Sequence, residues 1–400
     1  MAADPISPTT RDSDDRAQAG ASRLASIDTL RGLIIVLMAI DHARGFIARN
    51  HPAEFWGSAL PDYQGDWVAF LTRLVTHLCA PGFMYLMGAG AALFGTSRTR
   101  AGWSPVRIAG QLALRGLVLI VVGQLLENTA AAFGSAGATR TVTYGLRVPG
   151  APGPIPLILG VLYGLGSALS VAAPLVRLPP GVLVLLAGGC VAATHALTPD
   201  ASQVGEAISP LLGMLVVPGF ASPLLSIYPT IPWLAPTLLG VAFGRALEQD
   251  RRRAFSLITV AGVLFLVFFV VLRASGGLGS FQPIEAGWIG FLNVTKYPPS
   301  LTFLLLTLGA NFVLLGGLEL SGAGGSRWSS PLRVFGSVPL FFFITHLWLY
   351  AAIGRFFPAG TTIPQMYPFW LAGLVLLYLP CRWYGELKRR RPSSSLLRLL

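Results

Sequence analysis

Long apolar runs separated by short polar or Gly/Pro-rich stretches repeat along the whole chain. They lie near residues 27–48, 67–95, 107–127, 155–174, 180–197, 229–247, 254–273, 300–318, 334–356 and 366–384. Each approaches the roughly 20 helical residues that cross a hydrocarbon core about 30 Å thick. The pattern predicts an all-α polytopic membrane helix bundle of about ten transmembrane helices. One further apolar stretch, 208–227, is broken by Pro210, Pro218 and Pro223 and is expected to be re-entrant or interfacial rather than a crossing.

Composition agrees with the pattern. With 53% hydrophobic and 12% charged residues in 400, the chain has too little polar surface to cover a soluble globule of this size. A formal charge of +12 raises nucleic acid as a partner, but the basic residues lie in short segments between apolar runs rather than in one basic domain. With ten spans, one set of loops collects 19 Lys and Arg and the other set six, so the positive-inside rule puts both termini in the cytoplasm. Residues 1–22 are polar and expected as a disordered cytoplasmic tail, 23–386 as the transmembrane domain, and 387–400 as a basic cytoplasmic tail. The run after the first tail is expected to be a retained span, not a cleaved leader. Cys79, Cys190 and Cys381 sit singly, with neither disulfide nor thiolate-metal spacing.

Against this apolar background the polar residues inside spans stand out, because ionisable groups at membrane depth are costly and usually face a protein interior or a watery cavity. In SIDTLRGLIIVLMAIDHARGFIARN, Asp28, Arg31 and His42 fall within about 60° of one another on a helix turning ~100° per residue. They form a polar seam about 21 Å long. His42 has the chemistry of a general base, since imidazole titrates near neutrality. Asp41 lies about 100° around the helix and is expected to orient it only through backbone bending or from a neighbouring turn. Arg73 and His77 share a face of the second span, where Pro81 is expected to kink the helix and Gly88 and Gly90 permit close approach of a backbone or a slim ligand. His346 sits among aromatics in the ninth span, and the depths allow His42, His77 and His346 to meet in the outer half of the membrane. His51, in the first outer loop, reads from position alone as a rim residue, and His195 as structural.

At these motifs the chain resembles the prokaryotic membrane family related to the catalytic domain of heparan-alpha-glucosaminide N-acetyltransferase. The resemblance rests on SIDTLRGLIIVLMAIDHAR, RLVTHLCAPGFMYLMGAGAAL, YPTIPWLAPTLLGVAFG, LNVTKYPPSLTFLLLTLG and VFGSVPLFFFITHLW taken together. The opening helix is also similar to that of acyltransferase family 3, whose catalytic histidine falls at His42. In the heparan enzyme the key histidine lies nearer the position of His51, an asparagine stands at that of His42, and an acid at that of His77.

The resemblance implies an integral-membrane acyltransferase of a bacterial inner membrane. It would move an acyl group, often acetyl, from cytoplasmic acyl-CoA to a hydroxyl or amine of an extracytoplasmic glycan or envelope molecule. Catalysis is then expected from His42, Asp41, His77 and His51, and substrate binding from Asp28, Arg31, Arg73 and His346, with backbone amides or Arg73 and His77 as candidate oxyanion partners. No metal is expected, and the expected partners are membrane lipid, the small-molecule donor, the acceptor and a second copy of the chain in a homodimer. Two alternatives stay open: a transporter or flippase using the seam as a polar path, and a haem or metal protein built on His42, His77 and His346.

Overall fold

The computed structural model describes residues 10–57, 59–138, 148–150 and 157–391, with side chains from residue 25 onward. The last nine residues of the chain, its first nine and much of the segment 139–156 lie outside the described residues.

The chain begins with α1 (Thr10–Phe46), whose backbone takes in much of the segment expected as a disordered tail. Next come α2 (Trp67–Thr76) and α3 (Cys79–Arg100), then α4 (Pro105–Val122), which runs through a π-helical turn, Gly123–Glu127, into α5 (Asn128–Ser135). After α6 (Val161–Ala172) and α7 (Pro180–Leu197) the segment expected to be re-entrant forms a short helix, α8 (Pro210–Leu215), and a hairpin. The second half is helical again: α9 (Thr230–Gln249), α10 (Arg251–Ala274), α11 (Gly287–Leu292), α12 (Leu301–Leu320), α13 (Ser330–Ser337), α14 (Pro339–Gly354) and α15 (Ile363–Arg390). Caps mark several starts. Ser104 accepts from the Arg107 amide before Pro105 at the first position of α4, Asp250 caps α10, and Ser300 caps α12.

Every expected run contains helix, but the count of about ten spans is imprecise. Among the described residues six helical segments are long and apolar enough to cross a membrane, and a seventh if α13 and α14 form one span. Those two are bent by 93° at Val338 before Pro339, so the run 334–356 is a broken element rather than one straight crossing. The run 155–174 spends its start on strand β1 (Leu157–Leu159) and leaves only twelve residues to α6. The opening helix is long but carries Asp28, Arg31, Asp41 and Arg44.

The kink expected at Pro81 lies four residues earlier, where α2 ends and α3 begins across His77 and Leu78. The physical reason is that a proline lacks the amide its i−4 carbonyl would receive, here that of His77. The amide Nδ2 of Asn311 on α12 donates to the neighbouring Leu78 carbonyl at 3.0 Å, tying α12 to the break.

A three-stranded sheet closes one end of the bundle. β1 runs parallel to β3 (Leu224–Ser226), which pairs antiparallel with β2 (Gly219–Ala221). The amides of Ile227 and Tyr228 both donate to the Leu159 carbonyl, so the starts of α6 and α9 are tied together. A second tie joins the segments before α2 and α12, where the Lys296 and Tyr297 amides donate to the Glu54 carbonyl and the Trp56 amide donates to that of Tyr297.

Below these ties α3 packs on α9, α10 on α12, α4 on α6, and α1 on α13 and α14. The α3–α9 crossing is backbone-close: a Cβ on Gly240 would stand 1.9 Å from the Tyr85 carbonyl oxygen, and one on Gly88 2.0 Å from that of Thr237. Gly240→Ala is therefore expected to lower unfolding stability by about 1–3 kcal/mol. Gly189→Ala, where a Cβ meets open space, should leave it unchanged. Thermal unfolding of the purified protein in one detergent checks the pair.

Candidate functional site

Two consecutive residues near the end of α1 send their side chains to different partners. The His42 Nδ1 lies 2.7 Å from the Nε2 of His346 on α14, and the His346 Nδ1 lies 2.8 Å from the Phe342 carbonyl. A carbonyl only accepts, so His346 carries its proton on Nδ1 and presents a bare Nε2. The neutral His42 must then donate from Nδ1, which leaves its own Nε2 as a lone pair.

Asp41 turns the other way. Its carboxylate accepts from Arg73 Nη1 at 2.7 and 2.9 Å and from the Thr76 hydroxyl at 3.2 Å, and it faces the His51 Nε2 at 3.4 Å. The aspartate thus belongs with His51 rather than with its sequence neighbour His42, as the ~100° between consecutive helix positions requires.

Arg73 is buried between two acids. Its other nitrogens fork onto Glu54, Nε to Oε1 at 2.9 Å and Nη2 to Oε2 at 2.8 Å. His77 approaches the same carboxylate at 3.5 Å. Burial alone pushes the Glu54 carboxyl up, but Arg73 and His77 more than reverse this and hold it well below its usual range.

His42, Asp41 and His51 line one cavity of about 150 Å³ together with Glu127, Tyr228 and Lys296. A larger cavity of about 330 Å³, mostly apolar, is lined by Arg31, Arg115 and Gly90. The two share Met38, Phe83 and Val161 on their walls, so they adjoin along α1. Arg31 and His42, eleven residues apart, mark a path of about 16 Å.

Of the residues singled out in the sequence, His42, Asp41 and His51 converge on the smaller cavity and Arg31 on the larger, where it is paired with Asp28 at 2.7 Å. His346 contacts His42 from behind and is not on the cavity wall. Arg73 and His77 sit behind Asp41 and Glu54, off both walls. The expected meeting of three intramembrane histidines therefore holds for two, His42 and His346. Gly88 serves the α3–α9 backbone contact, whereas Gly90 faces the larger cavity.

Sequence reasoning missed Glu54, Glu127, Tyr228 and Lys296. Glu127 had a signal, being an acid at the end of the apolar run 107–127. Its two oxygens accept from the Val161 and Leu162 amides at 3.1 and 3.2 Å, at the start of α6. Lys296 had none, since its loop sequence LNVTKYPPS gives no sign that the lysine is buried where the segment enters α12. Among the described residues no group of three or more His, Cys, Asp or Glu is arranged to hold a metal ion.

Comparison with known proteins bears on this site. The family profile described as heparan-alpha-glucosaminide N-acetyltransferase, catalytic, matches residues 23–275, which include Asp41, His42, His51, Glu54, Arg73 and Glu127. Heparan-alpha-glucosaminide N-acetyltransferase of Homo sapiens is 29% identical over 125 residues, and that of Mus musculus 30% over 130 residues. The matched stretches cover 31% and 32% of this chain and 17% of each relative.

The Glu54–Arg73 pair makes a test independent of function. Glu54→Gln keeps the shape but leaves part of a buried guanidinium charge uncompensated, and should cost about 3–5 kcal/mol of stability. Because the native carboxyl ionises below its ordinary value of 4.5, its stabilisation is complete above that pH and is lost as pH falls below it. Unfolding temperatures measured from pH 7 to pH 3 should fall more steeply below pH ~4.5 for the wild type than for Glu54→Gln.

Proposed function

The chain belongs to the heparan-alpha-glucosaminide N-acetyltransferase catalytic family, and from that membership we propose that it is an integral-membrane acyltransferase. It takes an acetyl-class acyl group from cytoplasmic acyl-CoA and delivers it to a hydroxyl or amine of an extracytoplasmic glycan or envelope molecule. The protein sits in a bacterial inner membrane with both termini in the cytoplasm. The observation that carries the reading is the His42–His346 hydrogen bond, which leaves the His42 Nε2 as a base on the wall of a cavity that also holds His51 and Lys296.

The donor arm occupies the larger, apolar cavity and presents its thioester past Met38 and Phe83. The acceptor hydroxyl or amine enters the smaller cavity. His42 Nε2 takes its proton as the oxygen or nitrogen bonds to the thioester carbon. The imidazolium so formed is stabilised by its bond to His346, which in turn leans on the Phe342 carbonyl, the logic of a base oriented by a third group. As the tetrahedral intermediate collapses the C–S bond breaks, and the same proton goes to the CoA thiolate.

Lys296 takes the oxyanion role first assigned to Arg73 and His77. Its ammonium is the lysine charge on this wall, whereas the Arg73 guanidinium is spent on Asp41 and Glu54. His51, held by Asp41, orients the acceptor across the cavity from His42.

Consumption of acetyl-CoA by the purified chain, offered amino sugars and hydroxylated glycans, tests the proposal. His42→Ala is expected to lower kcat/KM by about 10²–10⁴-fold. His346→Ala should lower kcat about tenfold or more with little change in donor affinity, because the base survives but loses its tautomer and orientation. Wild-type rates in both His42→Ala and His51→Ala would overturn the assignment.

A further inference from the structure

Glu127 takes no part in the proton transfers above, yet it lines the same cavity as His42 and Lys296. It lies inside the apolar segment Pro105–Ser135, where an ionised group is costly and has to be compensated.

Its partners are neutral. Oε1 accepts from the Val161 amide at 3.1 Å and Oε2 from the Leu162 amide at 3.2 Å, at the positive end of α6. Among the described residues no basic side chain approaches it at ion-pair distance. Lys296 is in a similar state: its ammonium stands 5.1 Å from the Tyr297 ring centre and meets no carboxylate at ion-pair distance. The two charges share a cavity without joining each other.

The carboxylate is also held in place. Gln124 and Asn128, on either side of it in the chain, each donate to the Ile158 carbonyl at 3.0 Å, which fixes the π-helical turn against the strand that leads into α6. Gly160 leaves room for it, since a Cβ there would stand 2.4 Å from Oε1. Helices α4, α10 and α12 are capped by a residue of their own connecting segment, Ser104, Asp250 and Ser300. The start of α6 instead draws a charged side chain from a different helix, although a neutral hydroxyl or amide would satisfy its amides.

A carboxylate offers about four lone-pair sites, two on each oxygen. One on each oxygen is spent on an α6 amide, so each keeps one for a ligand. Two acceptors fixed side by side match two adjacent O–H donors. An ammonium fits less well, because it would enter a cavity of about 150 Å³ that already holds the Lys296 charge.

We propose that Glu127 is a specificity-determining residue for the acceptor: its carboxylate takes hydrogen bonds from two adjacent hydroxyls of a sugar or other polyol and so turns the neighbouring group toward His42 Nε2. The turning toward His42 rests on the acyl-transfer reading, whereas the contact with the hydroxyl pair needs no donor.

The test uses the full chain in phosphatidylcholine nanodiscs, with no acetyl-CoA present. Isothermal titration measures binding of methyl glucoside, methyl mannoside, methyl galactoside and methyl glucosaminide, and of singly deoxygenated forms of whichever sugar binds best. In the wild type, removing one hydroxyl of the recognised pair is expected to weaken binding about tenfold, the loss of one hydrogen bond to a charged group. Glu127→Gln should weaken the parent sugar by a similar factor and make it nearly insensitive to that deoxygenation, a coupling that a merely structural role would not produce. Gly160→Ala keeps the charge but displaces the carboxylate, and should remove the same coupling. Unfolding temperature reports whether each variant folds, and the second variant carries the test if the first does not. With acetyl-CoA added, Glu127→Gln should raise the acceptor KM more than it lowers kcat.

The proposal falls if none of these sugars binds the wild type, if parent and deoxygenated sugars lose affinity equally in the variants, or if only the amino sugar responds, which would make Glu127 an ammonium site. The two readings fail separately. Coupling between Glu127 and a hydroxyl pair without any consumption of acetyl-CoA sinks acyl transfer and keeps the site, and sugar-dependent transfer without that coupling does the reverse.

Discussion

A single buried guanidinium holds the site together. Arg73 joins α1 through Asp41, the loop after α1 through Glu54, and its own helix α2, with every nitrogen engaged. Such a charge is tolerable in a low-dielectric interior only because two acids and precise forks compensate it. Its consequences spread outward. Fixing Asp41 turns that carboxylate toward His51, and fixing Glu54 presents the backbone carbonyl that receives the Lys296 and Tyr297 amides. The histidine and lysine on the cavity wall are thus set in place by a residue that does not itself reach the wall.

The helical part of this arrangement was legible in the sequence. Helix periodicity is local, so the seam of Asp28, Arg31 and His42 follows from spacing alone, and so does the opposed direction of Asp41. The helix-breaking power of Pro81 was legible too, although the break falls at the carbonyl it deprives of an amide rather than at the proline. Pairings between distant segments were not. Nothing local in the loop after α1 announces that Glu54 meets Arg73, nineteen positions on, or that its backbone meets Tyr297, so His51 read as a rim residue. Lys296 was hidden for the same reason: its loop composition suggests solvent exposure, whereas the segment is folded inward and buried. The count of spans suffered from the reverse error, because an apolar run does not state how much of itself becomes helix, as Leu157–Leu159 and the bend at Val338 demonstrate.

The two cavities differ in kind as well as size. The larger is walled mainly by α1, α3, α4, α6 and α14, with aliphatic and aromatic side chains and two arginines. The smaller takes its polar groups from helix ends, three loops and a π-helical turn. A π-turn inserts one residue into the helical register, and here it delivers the Glu127 carboxylate to the start of α6. The polar chemistry therefore sits where regular helix geometry has been interrupted, while the regular stretches supply the apolar slot.

The hydrogen-bonded tie between the Glu54 and Tyr297 segments divides the chain into parts that are free to change at different rates. Loops tolerate insertion and substitution far better than close-packed helices whose backbones touch, as at Gly88 and Gly240. A lineage carrying this architecture is able to remodel the rim of loops around the smaller cavity while the helical slot is inherited almost unaltered. Diversification is then expected to be lopsided, with relatives alike in the slot and unlike at the rim.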